Sequence, residues 1–216
     1  MNFSDNDAKK LLKIIKARRD VRGNRFINNP IEDEKLQMIL EAGVCAPSVG
    51  YSQPWKFIII KDEKIKDSIV KNFTDENSKA KEIFKDKELY NSLKLEGIKE
   101  APINIAVLYE PKKEATLGMT SMPKMGEYSV VCAVQNMWLM ARALNIGIGW
   151  VSILDEKSVL QTLKAPKHTQ LIAYLCVGYV DKFQKESELK TLGWEEQKAV
   201  QECVEEINSS HLHPCD

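Results

Sequence analysis

The sequence predicts one α+β domain in which a mixed sheet of about four or five strands is surrounded by helices. The chain has 216 residues and is 44% hydrophobic, which suits one full-sized core better than two small ones. Short apolar runs with the length of buried strands alternate with longer segments of helical spacing, and helices are in the majority. The predicted strands are residues 56–60, 103–109, 148–153 and 171–180.

The first helices follow from capping residues and from apolar side chains at helical spacing. Ser4 is expected to cap a helix whose stripe includes Leu11 and Ile15. Asp33 is expected to cap a second helix, and the charged, periodic residues 62–84 predict one or two surface helices.

The later helices are predicted from apolar content and from helix-ending residues. Residues 128–144 are apolar almost all round, which predicts a buried central helix that also packs against a second subunit. Gly147 is expected to cap this helix. Two short helices are expected at 90–97 and after Asp155.

Two segments do not belong to this core. Residues 110–124 form a long polar loop, and a loop of this length in a compact domain is often a lid or a binding loop. From about residue 182 the chain is a charged extension with one predicted helical stretch at 194–207. We expect this extension to wrap the body or a partner subunit.

Charge and cysteine content exclude several classes of function. Lys and Arg number 31 and Asp and Glu also number 31, so no nucleic-acid partner is expected. No apolar run approaches the roughly 20 residues of a membrane span, and the polar start predicts no signal peptide. We therefore expect a cytoplasmic protein without a membrane partner. The five cysteines are widely spaced, which predicts reduced thiols. No metal site is expected, and His211 and His213 are interpreted as part of a polar tail.

The charged cluster Arg18-Arg19-Asp20-Val21-Arg22 is the strongest functional signal. Three guanidinium groups in five residues repel one another unless an anion lies among them, and their planar forks suit phosphate and carboxylate oxygens. The alternative is a solvated helix end, where arginine is favoured by the helix dipole. Asp20 is the anomaly, because a phosphate site gains nothing from a carboxylate in its middle.

Two further stretches have the composition of binding loops. Pro47 and Ser48 lie in a turn that leads to Gln53-Pro54-Trp55, an amide beside a rigid residue and a large aromatic. This combination suits the edge of a flat polar ring, and it directly precedes a predicted strand, where function is often found. In the strand 148–153, Gly149 allows a ligand to approach the backbone.

Several common catalytic motifs are absent from the sequence. No G-x-G-x-x-G follows a predicted strand, and there is no P-loop. Ser48 lacks a nucleophile elbow and a well-placed histidine, which argues against a hydrolase triad.

The motifs taken together resemble those of FMN-dependent enzymes of the nitroreductase superfamily. Five of them occur in the same order and at similar spacing, namely residues 18–22, 46–50, 53–55, 93–98 and 147–152. Within the superfamily they are most similar to the 5,6-dimethylbenzimidazole synthases, which use oxygen to break up reduced FMN. The resemblance implies a nitroreductase-like fold, a homodimer with FMN at the subunit interface, and cleavage to 5,6-dimethylbenzimidazole and erythrose 4-phosphate.

The resemblance also implies roles for individual residues. The three arginines are assigned to the FMN phosphate, ribityl chain and pyrimidine edge, and Leu95 is assigned to a helix that covers the flavin. Gly149 is expected to bring a backbone N–H toward the flavin, and Ser152 to act together with Asp20 as the catalytic pair. The implied flavin-binding set comprises Arg18, Arg19, Asp20, Val21, Arg22, Pro47, Ser48, Gln53, Leu95, Gly149 and Ser152.

Asp20 separates the subfamily from ordinary nitroreductases, in which a hydroxyl residue follows the two arginines. Moving hydride through FMN requires only that the reduced ring is bound and stabilised. Cleaving the ring system requires protons to be moved, and a carboxylate beside the ring can act as general base or acid. The flanking arginines are expected to keep Asp20 ionised. This chain departs from the family pattern at one position expected to contact the FMN phosphate. Relatives often have an Arg there, after the C-terminal Trp motif, whereas this chain has Lys198.

Three functional hypotheses follow. The first is the oxygen-dependent synthase, with reduced FMN as substrate, O2 as co-substrate, NAD(P)H as an indirect reductant and a separate flavin reductase as a possible partner. The second is an NAD(P)H nitroreductase or dehalogenase-like enzyme that retains FMN. The third is a flavin-binding protein without catalytic activity.

Overall fold

The computed structural model describes residues 1–207 and divides the chain into two compact units, Met1–Lys185 and a second unit that begins at Glu186. His211, His213 and Cys215 lie outside the described residues. The first unit contains one four-stranded sheet of strand order β1-β2-β4-β3. Its strands are β1 (Trp55–Ile60), β2 (Ile103–Tyr109), β3 (Ile146–Val151) and β4 (Gln170–Tyr179).

All three pairs of neighbouring strands are antiparallel, which corrects the expectation of a mixed sheet. Strands separated by helices are typical of parallel crossovers. Here the helical connections from β1 to β2 and from β3 to β4 start and finish at the same end of the sheet, so each reverses the chain direction. Among the described residues, parallel pairing occurs at one isolated bridge, between Asp20 and Ile148.

The helices agree with most of the predicted segments. Ser4 caps α1 (Asp5–Ala17) in a capping box with Asp7, and the side chains of Asp62 and Asp155 cap α3 (Glu63–Ile83) and α6 (Glu156–Thr162). Asp33 is the first helical residue of α2 (Asp33–Val44), whose N-cap is Glu32. The helices are α1 (Asp5–Ala17), α2 (Asp33–Val44), α3 (Glu63–Ile83), α4 (Glu88–Ser92), α5 (Met125–Ala143) and α6 (Glu156–Thr162), with α7 (Glu188–Thr191) in the second unit.

Alternate residues of the sheet face two separate cores. Ile105 and Val107 of β2 pack with Met137 and other residues from α2 and α5 on one face. Ala106 and Leu108 pack with Ile69 and other residues from α3 and α6 on the opposite face. Every residue of β2 is buried, because helices cover the sheet on both sides.

Two predicted helix features in the first unit are wrong. The short helix ends at Ser92, and residues 93–97 are neither helix nor strand. The helix α5 ends at Ala143 with Leu144 as its C-cap, and Asn145 follows with a φ of 59°. Gly147 instead lies within β3, since the left-handed residue that ends the helix is an asparagine, which tolerates this conformation.

The predicted helix over 194–207 is also absent, and only the 3₁₀ turn Val200–Glu202 forms there. Its apolar side chains remain exposed, Val200 at 72% and Ile207 at 72%. Without burial of an apolar face, a helix of this length is not stable. By contrast, residues 110–124 contain no helix or strand, as predicted for a long loop. Within residues 1–207, no helix is long and apolar enough to cross a membrane.

Candidate functional site

The segment that contains Arg18 to Arg22 leaves α1 and runs beside the edge strand β3. The Val21 N–H donates to the Ile148 carbonyl at 3.0 Å. A Cβ on Gly149 would lie 2.1 Å from the Val21 carbonyl oxygen, so this position requires glycine. The close backbone approach predicted at Gly149 is therefore made by the protein's own Val21.

Both carboxylate oxygens of Asp20 have a partner in the protein. Oδ1 accepts a hydrogen bond from the Trp150 N–H at 3.0 Å, and Oδ2 forms an ion pair with Arg22. The Asp20 side chain is nevertheless 34% exposed, whereas that of Arg22 is 17% exposed. The carboxylate is thus fixed in direction and still open to a molecule from solution.

Arg22 connects Asp20 with two neighbouring segments. Its Nη1 donates to the Leu95 carbonyl at 3.2 Å and to the Trp150 carbonyl at 3.4 Å. Leu95 therefore contributes a carbonyl from a non-helical segment, which corrects its expected place on a covering helix. The reason is that α4 ends three residues earlier, at Ser92.

Arg18 and Arg19 point in different directions. The Arg18 guanidinium lies 4.7 Å from the centroid of the Trp138 ring, a cation–π contact that leaves its edge available for an anion. Arg19 donates from Nη1 to the Lys16 carbonyl at 2.8 Å and from Nε to the Gln184 carbonyl at 3.1 Å. Arg19 thus links the end of α1 to the backbone at Gln184. This contact lies within the protein and does not involve FMN, the ligand that the resemblance implied for Arg19.

Trp138 and Trp150 support this cluster, and sequence reasoning missed both. The Trp138 indole N–H donates to the Arg19 carbonyl at 3.1 Å, and the two indole rings lie 6.2 Å apart. The sequence signal was a tryptophan within the most apolar helix, since a buried indole N–H needs an acceptor.

The loop before β1 forms a second group of site residues. The Ser48 hydroxyl accepts a hydrogen bond from the Gln53 N–H at 3.1 Å, and the Val49 N–H donates to the Ser129 hydroxyl at 3.1 Å. Tyr51 and Gln53 have positive φ of 50° and 48°. Non-glycine residues in this region carry strain that is typical of functional loops. Pro47 and Gln53 are exposed.

Ser52 is the buried member of this loop. It is 6% exposed, and its hydroxyl oxygen has no hydrogen-bond partner among the described residues. A buried hydroxyl is costly without a partner. The loop therefore has capacity for one more hydrogen bond than the chain supplies.

The two groups lie at opposite edges of the sheet. Because the strands are antiparallel, the start of β1 and the end of β3 share one end of the sheet. Strands β2 and β4 lie between β1 and β3, which are three strand spacings or about 14 Å apart. The Asp20 segment lies one spacing beyond β3, so about 19 Å separates it from β1. One chain therefore brings Arg18, Asp20, Arg22 and Gly149 together, but not with Ser48 and Gln53.

Ser152 directly follows β3 and is exposed. It lies two residues after Trp150, whose N–H donates to Asp20. A cavity of about 230 Å³ adjoins it, lined also by Trp150, Glu156 and Tyr174. Ser152 thus belongs to the same end of β3 as Asp20.

An apolar groove runs between α1, α2 and α5. Its volume is about 530 Å³, and it is lined by Leu11, Met38, Leu139 and neighbouring residues. Leu11 is 53% and Met38 is 43% exposed, although α1 has a clear apolar stripe and buries no residue. In the part of the chain from residue 1 to 207, no three His, Cys, Asp or Glu side chains are grouped to hold a metal ion.

The model of the nitroreductase family matches residues 15–179. The chain belongs to the nitroreductase family. The match begins at the end of α1 and ends with β4, so it contains both groups of site residues. As a nitroreductase family member, the chain has the predicted nitroreductase-like fold.

Relatives within the nitroreductase family extend this result. A 5,6-dimethylbenzimidazole synthase from Rhodospirillum rubrum is 39% identical over 188 residues, which cover 84% of this chain and 87% of that protein. A 5,6-dimethylbenzimidazole synthase from Rhodobacter capsulatus is 34% identical and covers 91% of this chain and 96% of its own length. Among solved structures, a putative nitroreductase in complex with FMN from Desulfovibrio desulfuricans has a TM-score of 0.67 and 23% identity, covering 92% of this chain and 96% of that one.

Proposed function

We propose that this chain is a 5,6-dimethylbenzimidazole synthase, which fragments reduced FMN with oxygen to 5,6-dimethylbenzimidazole and erythrose 4-phosphate. The observation that carries the proposal is the Asp20 carboxylate, held by the Trp150 N–H and by Arg22 and still open to solution. Relatives named for this activity, at 39% and 34% identity over most of the chain, support it.

The donors of the site fit a flavin nucleotide. Arg18 and Arg22 supply guanidinium groups for phosphate and pyrimidine oxygens. Hydrogen bonds to the flat polar edge of the ring come from Ser48, Gln53 and the Ser52 hydroxyl. Backbone contacts come from Pro47, Val21 and Gly149, and an apolar contact comes from Leu95. Arg19 remains at the backbone of Gln184 and supports the site from outside.

Reduced FMN, when bound, supplies the carbon skeleton and the electrons that O2 takes up. Asp20 moves protons at the ring, because a fixed carboxylate within reach of a bound molecule is suited to general acid–base work. Arg22 and the Trp150 N–H keep the carboxylate in one direction throughout. Ser152, on the same end of β3, orients the ring or a water molecule beside Asp20.

The complete site is proposed to form in a homodimer. Four strand spacings, about 19 Å, separate Asp20 from the strand that Ser48 and Gln53 precede, so a second copy is needed to bring such residues onto one flavin. The groove between α1, α2 and α5 offers the apolar surface for this contact. The reducing equivalents are proposed to come from NAD(P)H through a separate flavin reductase.

A single incubation tests the proposal. The protein is mixed with chemically reduced FMN and then with air, and the products are separated by liquid chromatography with mass detection. 5,6-Dimethylbenzimidazole in an amount that follows enzyme concentration is expected. Recovery of oxidised FMN alone would contradict the proposal.

The same preparation distinguishes the other hypotheses. Steady consumption of NAD(P)H with a nitroaromatic acceptor, with FMN retained through turnover, would identify a reductase instead. Tight FMN binding without turnover under either condition would identify a flavin-binding protein. Replacement of Asp20 by serine, the hydroxyl class found at this place in ordinary nitroreductases, provides the matched comparison.

A further inference from the structure

Glu96 is a buried carboxylate in a segment that has no helix or strand of its own. The residue is 9% exposed. Its Oε2 accepts a hydrogen bond from the Ile98 N–H at 2.8 Å, and its Oε1 is paired with Lys94. A buried charge is costly unless it is paired and hydrogen-bonded, so this carboxylate is an integral part of the segment.

The segment around Glu96 contacts the Asp20 site through two backbone carbonyls. The Glu96 carbonyl accepts from the Gly23 N–H at 2.8 Å, and the Leu95 carbonyl accepts from Arg22 at 3.2 Å. Arg22 in turn forms the ion pair with Asp20. One peptide unit therefore separates the anchored Glu96 from the carbonyl that orients Arg22.

The sheet holds the other side of the same segment. The Asn104 amide donates to the Ile98 carbonyl at 3.0 Å. A Cβ on Gly97 would lie 2.8 Å from the Phe26 ring. Residues 95–98 are thus fixed by side chains, because regular secondary structure does not fix them.

We infer that Glu96 is a positioning residue for the Arg22–Asp20 pair, acting through the Leu95 and Glu96 carbonyls. The inference rests on the proposed function, in which Asp20 moves protons at the flavin. Without the Glu96 carboxylate, the turn at Ile98 loosens, the Leu95 carbonyl moves from Arg22, and Asp20 loses its fixed direction.

Glu100 provides a matched control. It also pairs with Lys94, at 2.9 Å, and it lies in the same segment. Among the described residues, no backbone N–H donates to the Glu100 carboxylate, whereas the Ile98 N–H donates to Glu96. Glu96→Ala and Glu100→Ala each remove one carboxylate from Lys94, and only Glu96→Ala removes the acceptor of the Ile98 N–H.

The first measurement uses the flavin-free protein and amide hydrogen exchange. In Glu96→Ala the amides of Gly23 and Trp150 are expected to exchange about tenfold faster, because each loses a fixed acceptor. Exchange of the β2 core amides should stay within twofold. In Glu100→Ala the β2 core amides and Trp150 should also stay within twofold, and Gly23 is left out of this comparison because the Glu100 carboxylate lies against it. Equal acceleration throughout the core would mean a general loss of stability and would overturn the inference.

The second measurement is the rate of 5,6-dimethylbenzimidazole formation at saturating reduced FMN. Glu96→Ala should lower this rate about tenfold, and Glu100→Ala should leave it within twofold. Glu96→Gln should restore most of it, because the amide oxygen can accept from Ile98. An unchanged rate in Glu96→Ala would overturn the inference.

Failure of the inference and failure of the proposed function are separable. If the wild-type protein forms no 5,6-dimethylbenzimidazole, the proposed function fails, and the exchange of Gly23 and Trp150 still tests the positioning role. If Glu96→Ala does not fold, Glu96→Asp takes its place, since its shorter side chain withdraws the carboxylate from Ile98. The same selective exchange is then expected, and its absence counts against Glu96.

Discussion

The Asp20 carboxylate accepts a hydrogen bond of 3.0 Å from the Trp150 N–H, 130 residues away in the chain. This contact ties the arginine-rich segment to the edge strand β3 through the side chain that the proposed chemistry requires. It has a consequence for variants, since an uncharged acceptor at residue 20 can keep the contact while losing the acid–base function.

Asp20→Asn is expected to abolish 5,6-dimethylbenzimidazole formation, with a rate loss of about 100-fold or more. The amide oxygen still accepts from Trp150, and loss of a partly exposed ion pair costs about 1 kcal/mol or less. FMN binding, followed by flavin fluorescence, and the thermal midpoint should therefore change little. Continued synthesis at the wild-type rate would remove Asp20 from the chemistry.

Ser152→Ala tests the second proposed catalytic residue. Because Ser152 is exposed at the end of β3, its replacement should leave the free energy of unfolding within about 0.5 kcal/mol. Product formation should fall by about 100-fold if the hydroxyl orients the ring or a water for proton transfer. Ser158→Ala, at an exposed serine of α6, serves as the control and should have wild-type activity.

Gly149→Ala should destabilise the protein through a backbone clash. The new Cβ would lie 2.1 Å from the Val21 carbonyl oxygen, and backbone cannot move aside as a flexible side chain can. A cost of about 3 kcal/mol or more is expected, measured by urea unfolding. A stable variant with intact packing of residues 20–22 against β3 would show that this approach is not needed.

Leu11→Glu should weaken the proposed homodimer without unfolding the subunit. Leu11 is 53% exposed and lines the groove between α1, α2 and α5, so a carboxylate there is solvated in a monomer and buried in a dimer. Sedimentation velocity should show a shift to monomer, with loss of FMN binding. Ile83→Glu, at a residue 77% exposed on α3, should remain dimeric.

Cysteine reactivity gives an independent check of the same interface. Cys45 lines the groove and is exposed in the single chain. In a dimer that covers the groove it should react slowly with a thiol reagent, and in Leu11→Glu it should react rapidly. Burial raises the pKa of the Cys176 thiol, so Cys176 should remain unreactive in both proteins.

The pH dependence of stability should include a contribution from Glu32. The Tyr179 hydroxyl, followed by the backbone of Glu32 and by Lys35, lowers the pKa of Glu32 from 4.5 to about 2. A lowered native pKa stabilises the fold above pH 4.5, and this contribution is lost as the pH falls toward about 2. Tyr179→Phe should therefore differ most from wild type above pH 4.5 in urea unfolding. A difference that is independent of pH would contradict this assignment.

Local patterns were sufficient for most of the elements. Ser4, Asp62 and Asp155 each satisfy free helix N–H groups within a few residues, so their effect is visible without tertiary structure. The strand Ile103–Tyr109 was predicted with its observed bounds, because a short apolar run of this kind is typical of a buried strand. The prediction of a helix at 194–207 was wrong because the apolar residues there are not buried, and burial depends on the tertiary structure.

By itself, the sequence determined the fold class, and residue type and spacing were sufficient to nominate Asp20 and its neighbours as a candidate site. Only the tertiary structure decided how the residues are used. It turned Arg19 toward the Gln184 carbonyl and Arg22 toward Asp20, a division that adjacent arginines cannot reveal, since side-chain direction depends on distant acceptors. It also placed Ser48 and Asp20 at opposite edges of the sheet, because strand order is set by how the two cores pack and not by order along the chain.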